Sequence, residues 1–221
     1  MTAASRFLEL LLEAEVLRFG SFKTKSGRTS PFFFNSGNID SGFRLAKVAD
    51  IYSEVIMAHF GASVDNLFGP AYKGIPLAAV VCEALARKLQ RDISYTYNRK
   101  EIKDHGEGGS LVGRQYHKNE RVLIIEDVLT GGTSLRETLA SLRSRQVQVI
   151  GAIVGVDRQE KGLGELSARA EIEDEFKIPV RSILTIDQVV KDLYNKPVQG
   201  QVWINDDGLK EIKAYRLEFG R

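Results

Sequence analysis

Residues 121–134 read RVLIIEDVLTGGTS. The run Val122-Leu123-Ile124-Ile125 is wholly apolar, without the alternation of a half-exposed strand, and so predicts a strand covered on both faces. It leads into two acids, Glu126 and Asp127, and then into a turn, Thr130-Gly131-Gly132-Thr133-Ser134, before helical spacing begins over 134–145. Paired glycines let a backbone approach a ligand closely. Amides at a helix start point outward with the positive end of the dipole, an arrangement suited to phosphate, and the threonine and serine hydroxyls add donors. An N-capped strand–turn–helix junction would account for the turn chemistry by itself. The two acids ask for more, because carboxylates beside a phosphate cradle repel the ligand unless they serve another part of it. A ligand with a phosphate and vicinal hydroxyls, such as ribose 5-phosphate, meets that condition. No GxxxxGK[ST] is present, and no GxGxxG follows a strand, which argues against a nucleotide P-loop and a dinucleotide fold.

Outward from this segment, strand and helix patterns alternate. Apolar residues at helical spacing predict helices over 6–17 and over 45–56, the second ending near Gly61. Short strands are expected at 66–68, 93–97, 149–156 and 180–184, with helices over 75–89 and 134–145 and a long polar stretch over 98–119. Apolar strands separated by helices predict an α/β fold with a mainly parallel central sheet flanked by helices. No linker or repeat interrupts the series. One domain over 1–221 is expected, its core over about 45–190, with residues 1–40 and the C-terminal segment forming a small hood. Ligands in such folds gather at the carboxyl ends of strands, here the loops after Phe68, Tyr97, Glu126 and Val156.

The chain has 221 residues, 43% hydrophobic and 27% charged, enough to bury a substantial core. Its 31 Lys and Arg against 29 Asp and Glu leave a net charge of +2, too even to indicate nucleic-acid binding. No apolar run is long enough to span a membrane. Arg6, Glu9, Glu13 and Glu15 interrupt the N-terminal pattern, unlike the unbroken core of a signal peptide. The single cysteine, Cys82, sits in an apolar run and reads as a buried structural thiol. A reducing cytoplasm fits all of this. His59, His105 and His117 lack metal-site spacing, and GxSxG is absent, so neither a structural zinc nor a serine triad is indicated.

Four further segments carry polar chemistry. In FKTKSGRTSPFFFN, residues 22–35, three consecutive phenylalanines follow Pro31 beside Lys25 and Arg28. Packing would explain the rings, and so would a planar anionic ligand, to which they offer flat faces and cations. GPAYKG, residues 69–74, sets a tight turn at a strand end from which Lys73 projects, either into solvent or toward a ligand. NRKEIKDHGEGG, residues 98–109, joins Arg99, Lys100, Lys103 and His105 to three glycines. That composition suits a charged surface loop, or equally a lid closing over an anionic leaving group. VDRQE, residues 156–160, ends a strand on Arg158, which could pair with Glu160 at the surface or grip a ligand carboxylate bidentately.

Taken together, these segments resemble the type I phosphoribosyltransferases, and within them the enzymes that act on orotate. The apolar strand, two acids and V-x-T-G-G-T-S are similar to that family's 5-phosphoribosyl 1-pyrophosphate (PRPP) motif, although Glu126 stands where the first acid is often Asp. K-S-G-R-x-S-P-x-F-x-N, GPAYKGIPLA, R-K-x-x-K-D-H-G-E-G-G and VDRQE resemble the segments that distinguish the orotate enzymes. The resemblance covers about residues 7–193. It implies that Thr130, Gly131, Gly132, Thr133 and Ser134 hold the 5′-phosphate, that Glu126 and Asp127 hold the ribose hydroxyls, and that Tyr72 and Lys73 address PRPP. It implies that Lys25, Phe33, Phe34, Thr130 and Arg158 contact orotate. Arg99, Lys100, Lys103 and His105 are implied to close over pyrophosphate, reaching into the active site of a second subunit and so requiring a homodimer. Lys25, Lys103, His105 and Asp127 are the implied catalytic residues, and Mg²⁺, bound mainly through PRPP near Glu126 and Asp127, is the implied cofactor. Two other readings stay open: transfer to a different base, and a PRPP-binding regulator that has lost catalysis. Residues beyond 195, including Trp203, are given no catalytic role, and Trp203 is expected to pack.

Overall fold

In the computed structural model the backbone is described for residues 1–24, 27–103 and 109–221, and side chains for the same residues except 101–103 and 109. Helix α1 (Ala3–Glu13) starts at Thr2, whose Oγ1 accepts the Ser5 N–H, and it buries Phe7, Leu8 and Leu10 to Leu12. The chain then forms an antiparallel hairpin, β1 (Leu17–Lys23) with β2 (Thr29–Phe34), for which no strands were expected. The hydrophobic triplet explains the difference: in a strand the side chains alternate, so Phe32 and Phe34 are buried while Phe33 turns to the other face. The register breaks between Phe19 and Phe22, opposite Pro31, which has no N–H to pair.

Helix α2 (Gly42–Phe60) ends at Gly61, as its spacing predicts. Next come β3 (Asn66–Phe68), α3 (Gly74–Leu89), β4 (Ser94–Lys103) and β5 (Gly109–Gly113). Strand β4 outruns the expected 93–97 and pairs antiparallel with β5, so residues 98–103 and 109–113 of the polar stretch are paired strands. Polar residues hid them, because an edge hairpin needs no apolar run. Then follow β6 (Arg121–Leu129), α4 (Thr133–Arg143), β7 (Gln148–Asp157), α5 (Ala168–Phe176), β8 (Val180–Thr185), α6 (Ile186–Leu193), a short hairpin of β9 (Pro197–Val198) and β10 (Gln201–Val202), and α7 (Asp206–Phe219).

The central sheet has the order β5-β4-β3-β6-β7-β8, parallel throughout except at β5. Alternation along β6 sends Leu123 and Ile125 into the core beneath α1, α2 and α3, and Val122 and Ile124 into a second core shared with α4 and α5. Each such side chain contributes about 1.5–3 kcal/mol by leaving water. Cys82 belongs to the first core, where its thiol donates to the Ile93 carbonyl and burial pushes its pKa up to about 11. Trp203 also packs against that core, half-buried, with its Nε1 donating to the Val198 carbonyl. Helix α7 turns back onto the first hairpin, where the Tyr215 ring meets Phe32 edge-on at 5.7 Å. No helix among the described residues is long and apolar enough to cross a membrane.

Candidate functional site

A cleft of about 800 Å³ opens at the carboxyl end of β6, in the size range of small-molecule sites. One wall is the turn over 130–134. Gly132 precedes α4 with φ +83°, and no side chain caps the helix, so its first amides face the cleft without an internal partner. The two glycines do different work. A Cβ on Gly132 would come within 2.8 Å of Ile172 Cδ1, whereas one on Gly131 would meet nothing within 4 Å. Gly132 is therefore required by the fold itself, while the space above Gly131 is open to a ligand.

The two acids lie inside β6 rather than after it, and strand alternation separates them. Glu126 faces α4 and accepts the Ser134 hydroxyl, while Asp127 faces the first hairpin's side and accepts the Ser36 hydroxyl. Burial pushes the Glu126 carboxyl up to about 7, opposed by the Ser134 hydrogen bond and assisted by the nearby Asp127 charge. Lys73 Nζ stands 3.7 Å from Asp127 Oδ2 across the cleft, and Asp127 Oδ1 accepts the Val128 N–H. Behind the strand, the buried Tyr52 hydroxyl donates to the Glu126 carbonyl. Among the described residues no group of three His, Cys, Asp or Glu side chains is placed to hold a metal ion. Two divergent carboxylates suit instead an ion such as Mg²⁺ that takes one or two protein oxygens and the rest from phosphate and water.

At the other end Phe33, Phe34, Arg28 and Arg158 line the same cleft. Phe33 stacks on Phe22 at 5.4 Å with Arg18 over both rings, while Phe34 is buried beneath. Arg158 does pair with Glu160, but in the interior: it is 6% exposed and Glu160 2%. Its Nε and Nη2 lie 2.7 and 2.6 Å from Glu160 Oε1, and Nη2 also donates to Ser30 Oγ and the Tyr215 hydroxyl. Its guanidinium carbon sits 4.7 Å from the centre of the Phe32 ring.

The structure thus brings Lys73, Phe33, Phe34, Glu126, Asp127, residues 130–134 and Arg158 to one cleft. Tyr72 and Lys100 meet each other instead, with Lys100 Nζ 4.9 Å above the Tyr72 ring, and neither they nor Arg99 line it. The turn carrying Tyr72 and Lys73 is tied to β4, since Asn98 Oδ1 accepts the Ala71 N–H, and its Ala71–Tyr72 peptide is cis. Lys25, His105 and the side chain of Lys103 lie outside the described residues. Sequence reasoning missed Ser36, Ser30 and Tyr215. No local signal marked Ser36; Ser30 lies within the K-S-G-R-x-S-P motif but was given no role, and Tyr215 comes from the C-terminal helix to which no site role had been given.

Comparison with known proteins identifies the family. The phosphoribosyl transferase domain family matches residues 37–180. Orotate phosphoribosyltransferases of Clostridium botulinum (strain Eklund 17B / Type B) and Pseudomonas aeruginosa (strain PAO1) are each 46% identical, covering 97% of this chain and 96% of their own. The crystal structure of the Francisella tularensis orotate phosphoribosyltransferase superposes with a TM-score of 0.78 at 36% identity, over 97% of this chain and 99% of that one. By the fold, the cleft and these relatives together, the chain belongs to the orotate phosphoribosyltransferase family.

Proposed function

We propose that this chain catalyses the reversible transfer of a 5-phosphoribosyl group from PRPP to orotate, giving orotidine 5′-monophosphate and pyrophosphate for UMP biosynthesis. The observation that carries this reading is a single cleft with a backbone anion cradle at one end and a buried arginine beside phenylalanine faces at the other. The relatives' activity, given by their names, supports the same base.

In this reading the amides and hydroxyls over 130–134 bind the 5′-phosphate, and Asp127 and Glu126 hold the ribose hydroxyls. The bond from the anomeric carbon to pyrophosphate breaks as that carbon bonds to a ring nitrogen of orotate, through an oxocarbenium-like state. Asp127 stabilises the developing cation, and Lys73, Arg99, Lys100, Lys103 and His105 stabilise charge on the departing pyrophosphate as the β4–β5 segment closes. Lys25 contacts both substrates, and Phe33 and Phe34 flank the pyrimidine, with Thr130 and Arg158 at its polar edge. His105 is suited to protonate pyrophosphate, its ordinary pKa lying near ~6.5. Mg²⁺, held mainly by the substrate with Glu126 or Asp127 beside it, would supply positive charge to neutralise the leaving group. We read residues 1–221 as one domain whose hood closes the base end, acting in the cytoplasm as a homodimer in which the cationic segment serves the neighbouring subunit.

The test follows the loss of orotate absorbance on adding PRPP and Mg²⁺, for wild type and Lys103→Ala. Wild type should turn over, and the variant should lose on the order of 100-fold in kcat, as when one preorganised donor is removed. Activity with uracil or a purine but not orotate would keep the transfer and overturn the base. PRPP binding with no turnover on any base would favour the regulatory reading.

A further inference from the structure

Resting on the orotate reading above, we infer that Tyr215 and Glu160 are positioning residues for the base, acting through Arg158. An arginine side chain offers five N–H donors in a rigid fork. Here Glu160 Oε1 takes Nε and Nη2, and Nη2 is shared with Ser30 Oγ and the Tyr215 hydroxyl at 3.3 and 3.2 Å. The Tyr215 hydroxyl in turn donates to Glu160 Oε1 at 2.8 Å, which closes a ring of three buried groups. Nη1 forms no hydrogen bond with any described residue, although Arg158 lines the cleft. Nε and Nη2 are therefore fixed by the protein, and Nη1 is left for a ligand.

Charge points the same way. Glu160 Oε2 lies 3.7 Å from Arg28 Nη1, and Arg28 also lines the cleft, with its guanidinium carbon 4.5 Å from the centre of the Phe219 ring. Arg28, Arg158 and Glu160 together hold one positive charge in excess, matched to a base bearing one carboxylate and ill matched to a neutral one. Glu160 thus restrains the arginines without cancelling them. Two of the fixing contacts arrive on α7, so the C-terminal helix sets the base end of the site through Tyr215 and supports Arg28 through Phe219. Tyr215 keeps its proton here, because burial and then the Glu160 charge raise its pKa.

The test is steady-state kinetics of Tyr215→Phe and Glu160→Gln, each checked for a cooperative melting transition. Tyr215→Phe retains the ring contacts with Phe32 and Phe219 and removes only the hydroxyl. With both hydroxyl hydrogen bonds gone and Arg158 held less firmly, its KM for orotate should rise about 5- to 10-fold, while kcat and the KM for PRPP stay within about twofold. Glu160→Gln, whose neutral amide holds the fork less firmly, should raise the same KM and spare PRPP. An orotate KM within about twofold of wild type in a folded variant, or parallel rises for both substrates, would overturn the inference. A wild-type enzyme that ignores orotate would remove the reading on which it rests, an outcome seen before any variant is made.

Discussion

At the turn end of the cleft the wall is backbone from one unbroken stretch, residues 126–134, with its amides facing open space. At the arginine end it is side chains from three distant segments, around residues 28–34, 158–160 and 215, already hydrogen-bonded and paired among themselves. A backbone cradle can stay empty cheaply, since its amides are neutral and reach solvent. A guanidinium that is 6% exposed cannot, because an unpaired buried charge is costly, so Glu160 pairs with it in advance. An anion-binding site of either kind can thus be made ready, but only the buried one needs a resident counterion.

The largest expected effect tests that counterion. Arg158→Ala should lower unfolding free energy by about 3–5 kcal/mol, measured with urea, because Glu160 is left buried without its main partner. Replacing both by neutral residues should recover most of the loss while orotate use stays impaired. A single-variant loss below about 1 kcal/mol would mean that the arginine end is as relaxed as the turn.

A smaller effect concerns the junction of the two ends. Glu126 has its pKa raised to about 7 in the folded protein from an ordinary 4.5. Its contribution to stability is complete at low pH and is lost as pH climbs from about 4.5 through about 7, on the order of 3 kcal/mol. Glu126→Gln cannot ionise, so the wild-type-minus-variant difference in unfolding free energy should slope across that window. A flat difference would show a solvated carboxylate.

Smallest are the glycines, which sharpen the contrast within the turn itself. Gly132→Ala forces a left-handed φ and a close approach to Ile172, and should cost about 1–3 kcal/mol of stability. Gly131→Ala should change stability by less than about 0.5 kcal/mol, yet raise the KM for PRPP about 10-fold by filling the ligand's approach. Equal stability losses in the two variants would remove the distinction between a glycine for the fold and a glycine for the ligand.

The same contrast explains what could be read in advance. The β6–turn–α4 unit was legible because its apolar run, acids and glycines are contiguous, and apolar strands between helices placed it in a parallel sheet. The β1–β2 hairpin was not, because FFF reads as a run until alternation buries Phe32 and Phe34 and turns Phe33 away. The extension of β4 through Arg99 and Lys100 was hidden by polar side chains, and the pattern gave no sign that Tyr72 and Lys100 would face each other outside the cleft. Arg158 and Glu160, two residues apart, suggested their pairing but not its burial. Tyr215 could not be found locally, since its role depends on α7 returning across the whole chain to meet residues 28–34 and 158–160.

Cys82 has a practical consequence for all of these measurements. It is the chain's single cysteine, and with its thiol pKa near 11 only about one molecule in ten thousand carries a thiolate there at pH 7. The native protein is therefore close to silent toward thiol-directed reagents. A cysteine introduced at an exposed position, for instance in place of Lys100, would take up a fluorophore or spin label almost alone, giving β4 a reporter of ligand binding without first stripping the protein of background thiols.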